Sequence, residues 1–367
     1  MSIITKKKTT ETYLQGLKNR PRNTENNCIR VVKHFTKFVK ESQNLTPDQL
    51  CEELLIMKKQ DEEEYINTLY SILQDFLDVM HKTLCGNTIK TYFANLRGYL
   101  YHFGVRTDQQ DVKMLIRFPK VLFEEKYPLS IEELRKIVDY YTRYPKRHAA
   151  LLAQSSSGMR IGEVLNIKKS DLIFGDRISV YIKASGSKNN KGRTVFLSKE
   201  CQTVLEKYID YCSDDSLVFQ SGNPQDQKTA VSNASRTLNL CLDKIGLGMK
   251  YDNGRYKINT HSLRAFFFTQ AVRKHGENYA HRMTGHSGYL MQYDRMNDEE
   301  KLKMYLELEP DLSVYATTKA DLEIERLKMM QTKENKELKE ELDELKLQLA
   351  QQGLDIVDKL KDDGKIL

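Results

Sequence analysis

Through almost all of this chain apolar side chains recur at spacings of three and four, and only two short runs, 178–183 and 193–198, alternate with a period of two. A period near 3.6 buries one face of a helix and a period of two buries one face of a strand. The chain is therefore expected to be mainly α with one small antiparallel β-sheet. The clearest helix is 23–42, with Ile29, Val32, Phe35 and Val39 on one face. A second follows Gly86, where Asn87 or Thr88 is the expected cap. Ile89, Phe93, Leu96, Leu100 and Phe103 form its apolar stripe, Lys90, Asn95 and Arg97 lie mainly away from it, and Gly104 ends it. A compact helical domain with basic outer faces is expected over 1–110.

The pattern loosens over 111–129, where Pro119 and Pro128 bracket a short apolar and acidic stretch, as in a linker. A second domain, 130–317, opens on a capping box: Ser130 accepts from the amide three residues on, and Glu133 reaches back to the cap amide. The two alternating runs form a hairpin joined by 184–192, rich in Gly, Ser, Asn and Lys. Helical periodicity returns over 201–211, 230–245 and 261–275. The tail, 318–367, is long, charged and without proline. Ile324, Leu338, Leu342, Leu345 and Leu349 fit one heptad seam, with Lys328, Gln331 and Asn335 as its polar members. A dimerising coiled coil and a solvated single helix both satisfy that pattern.

Charge is unevenly placed. The net +7 hides a tail from Thr318 with 10 basic and 13 acidic side chains, which leaves 48 against 38 on the rest. An excess of cations on the globular part favours a polyanionic partner, nucleic acid being the commonest. The six cysteines, Cys28, Cys51, Cys85, Cys201, Cys212 and Cys241, form no C-x-x-C pair, so reduced thiols are expected and no zinc site or disulfide scaffold. No stretch reaches the roughly 20 apolar residues that span a bilayer, and no signal peptide opens the chain, so no membrane partner is expected and the cytoplasm fits best.

Chemistry concentrates in a few places. In Ser156-Ser-Gly-Met-Arg160 a small, flexible segment ends on an arginine that begins a helical turn, with Glu163 one turn on to hold it. A guanidinium suits phosphate because its planar fork donates two parallel hydrogen bonds and keeps its charge. A lone R-x-x-E is more often a surface ion pair. In His261-Ser-Leu-Arg264 the spacing of three puts imidazole and guanidinium on one helix face. Gly285-His286 makes a corner where glycine lets the backbone turn closely past a ligand, and Tyr293 lies seven residues on. A lone histidine more often packs as a polar residue, and most of the 20 tyrosines fill cores. Lys188 sits on the hairpin loop between Lys183 and Lys191, where surface lysines are common.

Taken in order, Arg160, Lys188, His261-x-x-Arg264, Gly285-His286 and Tyr293 resemble the active-site elements of the tyrosine recombinases, the phage integrase family. The likeness runs from about Asn87 to Tyr315 and takes in the Thr88-Ile-Lys-Thr-Tyr-Phe-x-x-Leu-Arg97 helix and the Arg193-Thr-Val-Phe-Leu strand. Tyr293-Asp-Arg, followed by Glu299-Glu300 and Tyr305, is similar to archaeal members. The resemblance implies a helical core-binding domain, a catalytic domain and a C-terminal helix, with the two domains clasping duplex DNA. It implies that Tyr293 attacks the scissile phosphorus to form a 3′-phosphotyrosine and release a 5′-hydroxyl. Arg160 and Arg264 would hold the non-bridging oxygens, Lys188 would protonate the departing oxygen, His261 would assist proton transfer, His286 would add a hydrogen bond and Glu163 would support. The His286-to-Tyr293 gap is shorter than in the commoner bacterial members, so Tyr289 and Tyr305 stand as rival nucleophiles, and Lys191 as the rival acid. The phosphodiester energy stays in the phosphotyrosine, so no cofactor is implied.

Three functions follow from this reading. The first is a site-specific DNA recombinase of a prokaryotic or archaeal element, associated with the nucleoid and acting as a homo-tetramer on synapsed double-stranded DNA. The second is a type IB topoisomerase-like DNA-relaxing enzyme. The third is a DNA-binding regulator that keeps the fold without catalysis.

Overall fold

The computed structural model describes residues 8–121, 124–184, 192–221, 226–286 and 296–362, the last stretch with only part of its side chains. The chain divides into two compact units, Met1–Glu124 and Glu125–Leu367.

Among its described residues the regular elements of the first unit are helices: α1 (Thr10–Gly16), α2 (Arg22–Gln43), α3 (Pro47–Gln60), α4 (Glu62–His81), α5 (Gly86–Phe103) and α6 (Gln109–Leu115). Its core joins Val31, Phe35 and Phe38 of α2 to Leu73 and Phe76 of α4 and Phe93, Leu96 and Tyr99 of α5. Phe35 meets Phe76 edge-on, with ring centroids 5.4 Å apart. Each such ring, fully buried, contributes about 1.5–3 kcal/mol. The buried face of α2 is wider than the expected stripe, taking in Cys28, Val31 and Phe38 and leaving Ile29 half-buried. All five expected stripe residues of α5 are buried, but neither Asn87 nor Thr88 caps it. Cys85 occupies that position, its Sγ 3.2 Å from the Thr88 hydroxyl rather than capping a helix amide, and Gly86 is already helical. Gly104 ends α5 at φ 100, in the left-handed region that glycine adopts without strain.

The second unit holds α7 (Ile131–Tyr140), α8 (Pro145–Ser157), α9 (Ile161–Val164), β1 (Leu172–Ile173), β2 (Ser179–Ile182), β3 (Arg193–Phe196), α10 (Lys199–Glu206), α11 (Gln227–Lys244), α12 (Thr260–Thr284), α13 (Asp298–Leu312) and α14 (Ala316–Asp362). Ser130 and Glu133 cap α7 reciprocally, at 3.2 and 2.9 Å, as their spacing predicts. The strands form one antiparallel sheet in the order β1-β2-β3, with Val180 opposite Val195 and Ile182 opposite Arg193. The hairpin is the expected one. The third strand, β1, has two residues, too few to show a period. The expected helix over 201–211 stops at Glu206 and gives way to a 3-10 turn at Ile209–Tyr211.

Helix α8 is the spine of this unit, packed by α10 and α12. Ala149, Ala153, Ser155, Ser156 and Ser157 are buried along it, and such small side chains let neighbouring backbones approach closely. Helix α12 breaks at Gly276 (φ 80) and ends on Gly285 (φ 69). The long α14 is rooted by a buried ion pair, Arg177 Nε to Glu309 Oε2 at 2.7 Å, with Glu325 of α14 at 3.8 Å from the same guanidinium. Glu200 accepts from the amides of Val314 and Tyr315 just before α14. Leu322 is buried, whereas Ile324, Leu338, Leu342 and Leu345 of the expected seam are more than half exposed. Leu349 lies outside the described side chains. Among the described residues no helix is long and apolar enough to cross a membrane, and no group of His, Cys, Asp or Glu is placed to hold a metal ion.

Candidate active site

Arg160 lies between the left-handed turn at Gly158 and the first residue of α9. Gly158 is required there: its φ is 66, and a Cβ would stand 2.4 Å from the Phe267 ring. The turn points the Gly158 carbonyl inward, where it accepts from Arg264 Nη1 at 2.5 Å. Glu163, one turn into α9, accepts from the Arg160 amide at 2.8 Å and from Arg160 Nη1 at 3.0 Å. The expected hold of Glu163 on Arg160 is therefore formed, and it leaves the Arg160 side chain partly open to solvent.

Arg264 comes from the first turns of α12 and is 2% exposed. Besides Gly158 its guanidinium donates to the Thr284 carbonyl at 2.5 Å, and it lies 3.1 Å from His286 Nε2. His261, three residues before it, sits in the first turn of α12, with its amide capped by Asn259. His286 follows the Gly285 turn that closes the same helix. The Gly276 break splits α12, and its two ends bring His261, Arg264 and His286 to one place. The structure thus brings Arg160, His261, Arg264 and His286 within electrostatic reach of one another. Lys188, Lys191, Tyr289 and Tyr293 lie outside the described residues. Tyr305 is fully buried against the Phe196 ring, and burial, with Glu309 beside it, pushes its hydroxyl well above the ordinary range; it is core.

Electrostatics explain what this cluster is poised to hold. Burial and the Arg160 charge pull Arg264 down to about 9, still protonated near neutrality. Burial, then Arg264 and Arg160, lower His286 to about 4. Partial desolvation followed by Arg264, Arg160 and Lys126 lowers His261 as well. Burial would raise the Glu163 carboxyl, but hydrogen bonding and charge from Arg193, with Arg160 behind them, hold it below the usual carboxylate range. Among the described residues, Arg160, Arg193 and Arg264 act on that carboxylate, an excess of positive charge. A phosphate oxygen is the ligand that forked donors on a positive ground suit best.

Arg193 is the member that the sequence reading used only to mark a strand. Its side chain is 5% exposed and its Nη2 lies 2.6 Å from Glu163 Oε2. The available signal was period two, which sets Arg193 on the inward face with Val195 while Thr194 turns outward.

A helical unit with a three-stranded sheet thus carries an arginine–histidine centre at the two ends of one broken helix. Residues 127–299 match the model of the phage integrase family. That segment, just under half of the chain, is thus similar to the phage integrase family, the tyrosine recombinases. Among its relatives, transposase A of transposon Tn554 from Staphylococcus aureus is 26% identical over 42% of this chain and 45% of its own length. The tyrosine recombinase XerA of Thermococcus onnurineus is 28% identical over 48% of this chain and 58% of its own. Tyrosine recombinase XerC of Staphylococcus aureus is 22% identical over 77% of this chain and 94% of its own. The chain thus spans about half the length of the first two. With bacterial relatives matching beside the archaeal one, the archaeal likeness is minor. A crystal structure of a lambda integrase dimer bound to a COC' core site shares the fold, with a TM-score of 0.53 at 17% identity over 78% of this chain and 97% of that one.

Proposed function

We propose that this protein is a site-specific DNA recombinase that cuts and rejoins double-stranded DNA through a tyrosine. The Tyr293 hydroxyl passes its proton to His261 as its oxygen attacks the scissile phosphorus, the bond to the 5′-oxygen breaks, and Lys188 supplies the proton that makes the 5′-hydroxyl. A 3′-phosphotyrosine remains, and the reverse attack by a 5′-hydroxyl reseals the strand. Arg160 and Arg264 neutralise the non-bridging oxygens as charge shifts onto them. A single preorganised donor of this kind is typically worth about 3 kcal/mol. His261 and His286, held neutral in the free site, donate or relay protons at the phosphate. The observation that carries this reading is the buried, carbonyl-anchored guanidinium of Arg264 beside Arg160, where among the described residues three arginines act on the Glu163 carboxylate.

The first unit supports a DNA partner independently. Arg30, Lys33, Lys37 and Lys40 recur at spacings of three and four along α2, and all four are exposed. Like charges at that spacing destabilise a helix by a few tenths of a kcal/mol per pair, a cost a polyanion reverses. We place core binding in 1–110, catalysis in 130–317 and self-association in the tail, with a tetramer on paired sites in the cytoplasm of a prokaryotic or archaeal host.

The test is a covalent trap. On a nicked suicide duplex carrying the cognate site, the full chain should form a protein–DNA adduct and Tyr293→Phe should not. No adduct from the wild type refutes catalysis and leaves a DNA-binding regulator; an adduct from Tyr293→Phe refutes the nucleophile. Relaxation of plasmid lacking that site would instead mark a topoisomerase.

A further inference from the structure

We infer that Arg193 is a positioning residue: a buried guanidinium that aims Arg160 and His286 at the scissile phosphate without touching it. This rests on the phosphotyrosine reading of the site. Arg193 opens β3, and its guanidinium bonds in two directions. Toward α9, Nη2 and Nη1 reach the two Glu163 oxygens at 2.6 and 3.3 Å. Those same oxygens take the Arg160 amide and the Arg160 Nη1, so Arg160 and Arg193 grip one carboxylate from opposite partners. Toward the end of α12, Nε donates to the Met283 carbonyl at 2.8 Å. The next carbonyl, Thr284, accepts from Arg264. The next residue, Gly285, has no side chain to exclude the guanidinium, since a Cβ there would stand 3.0 Å from Nη1. His286 follows directly.

One planar group thus ties the α9 end, which carries Arg160, to the α12 end, which holds Arg264 and carries His286. Stability alone does not explain it, because apolar packing at a buried ion pair is commonly as stable or more so. Orientation does. Phosphate ligands from separate elements must sit within about 0.5 Å of the productive geometry. A lysine in its place keeps the charge but lacks the fork that spans Met283 and both oxygens of Glu163.

The test uses the full chain with Arg193→Lys in single-turnover adduct formation on the nicked suicide duplex, beside DNA titration and thermal melting. Binding should stay within about twofold of wild type while the adduct rate falls about 100-fold, the scale of a 1 Å misplacement. The discriminating readout is the same duplex with a neutral methylphosphonate at the scissile position. There a misaimed Arg160 matters less, so the penalty of Arg193→Lys should shrink to under about tenfold. A purely structural role lowers both rates alike. An adduct rate within about threefold of wild type, or equal penalties on the two linkages, overturns the inference. If the lysine variant does not melt cooperatively, Arg193→Gln, which leaves Glu163 paired with Arg160, carries the same measurements and criteria. Wild type without any adduct sinks the phosphotyrosine reading and this inference with it; a wild-type adduct with an unaltered Arg193→Lys rate sinks this inference alone.

Discussion

Glu163→Gln removes the one carboxylate at the centre of the cluster and leaves its shape in place. Glu163 and Arg193 have side chains 4% and 5% exposed, so the variant strands a buried guanidinium beside a neutral amide. Breaking a buried pair on one side costs about 3–5 kcal/mol. The lower end applies here, since glutamine keeps one acceptor and Arg160 is partly solvated, giving about 3 kcal/mol. For a unit of this size that is roughly 6–12 °C in Tm, readable by calorimetry. The pH dependence is a second check. Glu163 is held below its ordinary pKa of 4.5, so its stabilisation is complete above that value and disappears as pH falls through the lowered one. The gap between wild type and Glu163→Gln should therefore be widest near neutrality and close below about pH 4.5. A loss under about 1 kcal/mol at pH 7, or a gap that widens on acidification, refutes the assignment of Glu163 as the charged centre of this network.

Two further outcomes follow from other parts of the molecule. His286 in the free protein should titrate near 4, because burial and the Arg264 charge oppose the imidazolium, and binding of DNA should move that midpoint up by adding an anion; an NMR midpoint at or above the ordinary 6.5 without DNA contradicts this. Deleting 328–367 should reduce self-association in sedimentation while single-strand cleavage persists; the cut falls there because Leu322 is buried and Glu325 meets Arg177, and unchanged sedimentation removes the tail's role.

What was legible in the chain itself was whatever depends on local pattern. The α5 stripe, the Ser130–Glu133 box, the β2–β3 hairpin and the helix over 261–275 arise from neighbouring residues, and sequence displays neighbours directly. Helix α5 starts at Gly86, ahead of the caps the sequence offers, at a place where a Cβ would meet Val121 at 3.1 Å and the Pro119 carbonyl at 3.3 Å, neighbours remote in sequence. The ordered series Arg160, His261, Arg264 and His286 was visible as motifs, but each alone resembled an ordinary surface or core residue. Only tertiary structure could decide that the 2% exposed Arg264 reaches back to Gly158, and that Arg193, on a strand, binds both Glu163 and Met283. Those bonds span 106, 90 and 30 positions. Their reason is desolvation: a buried guanidinium must find acceptors wherever the fold supplies them, and no period along the chain records where they lie.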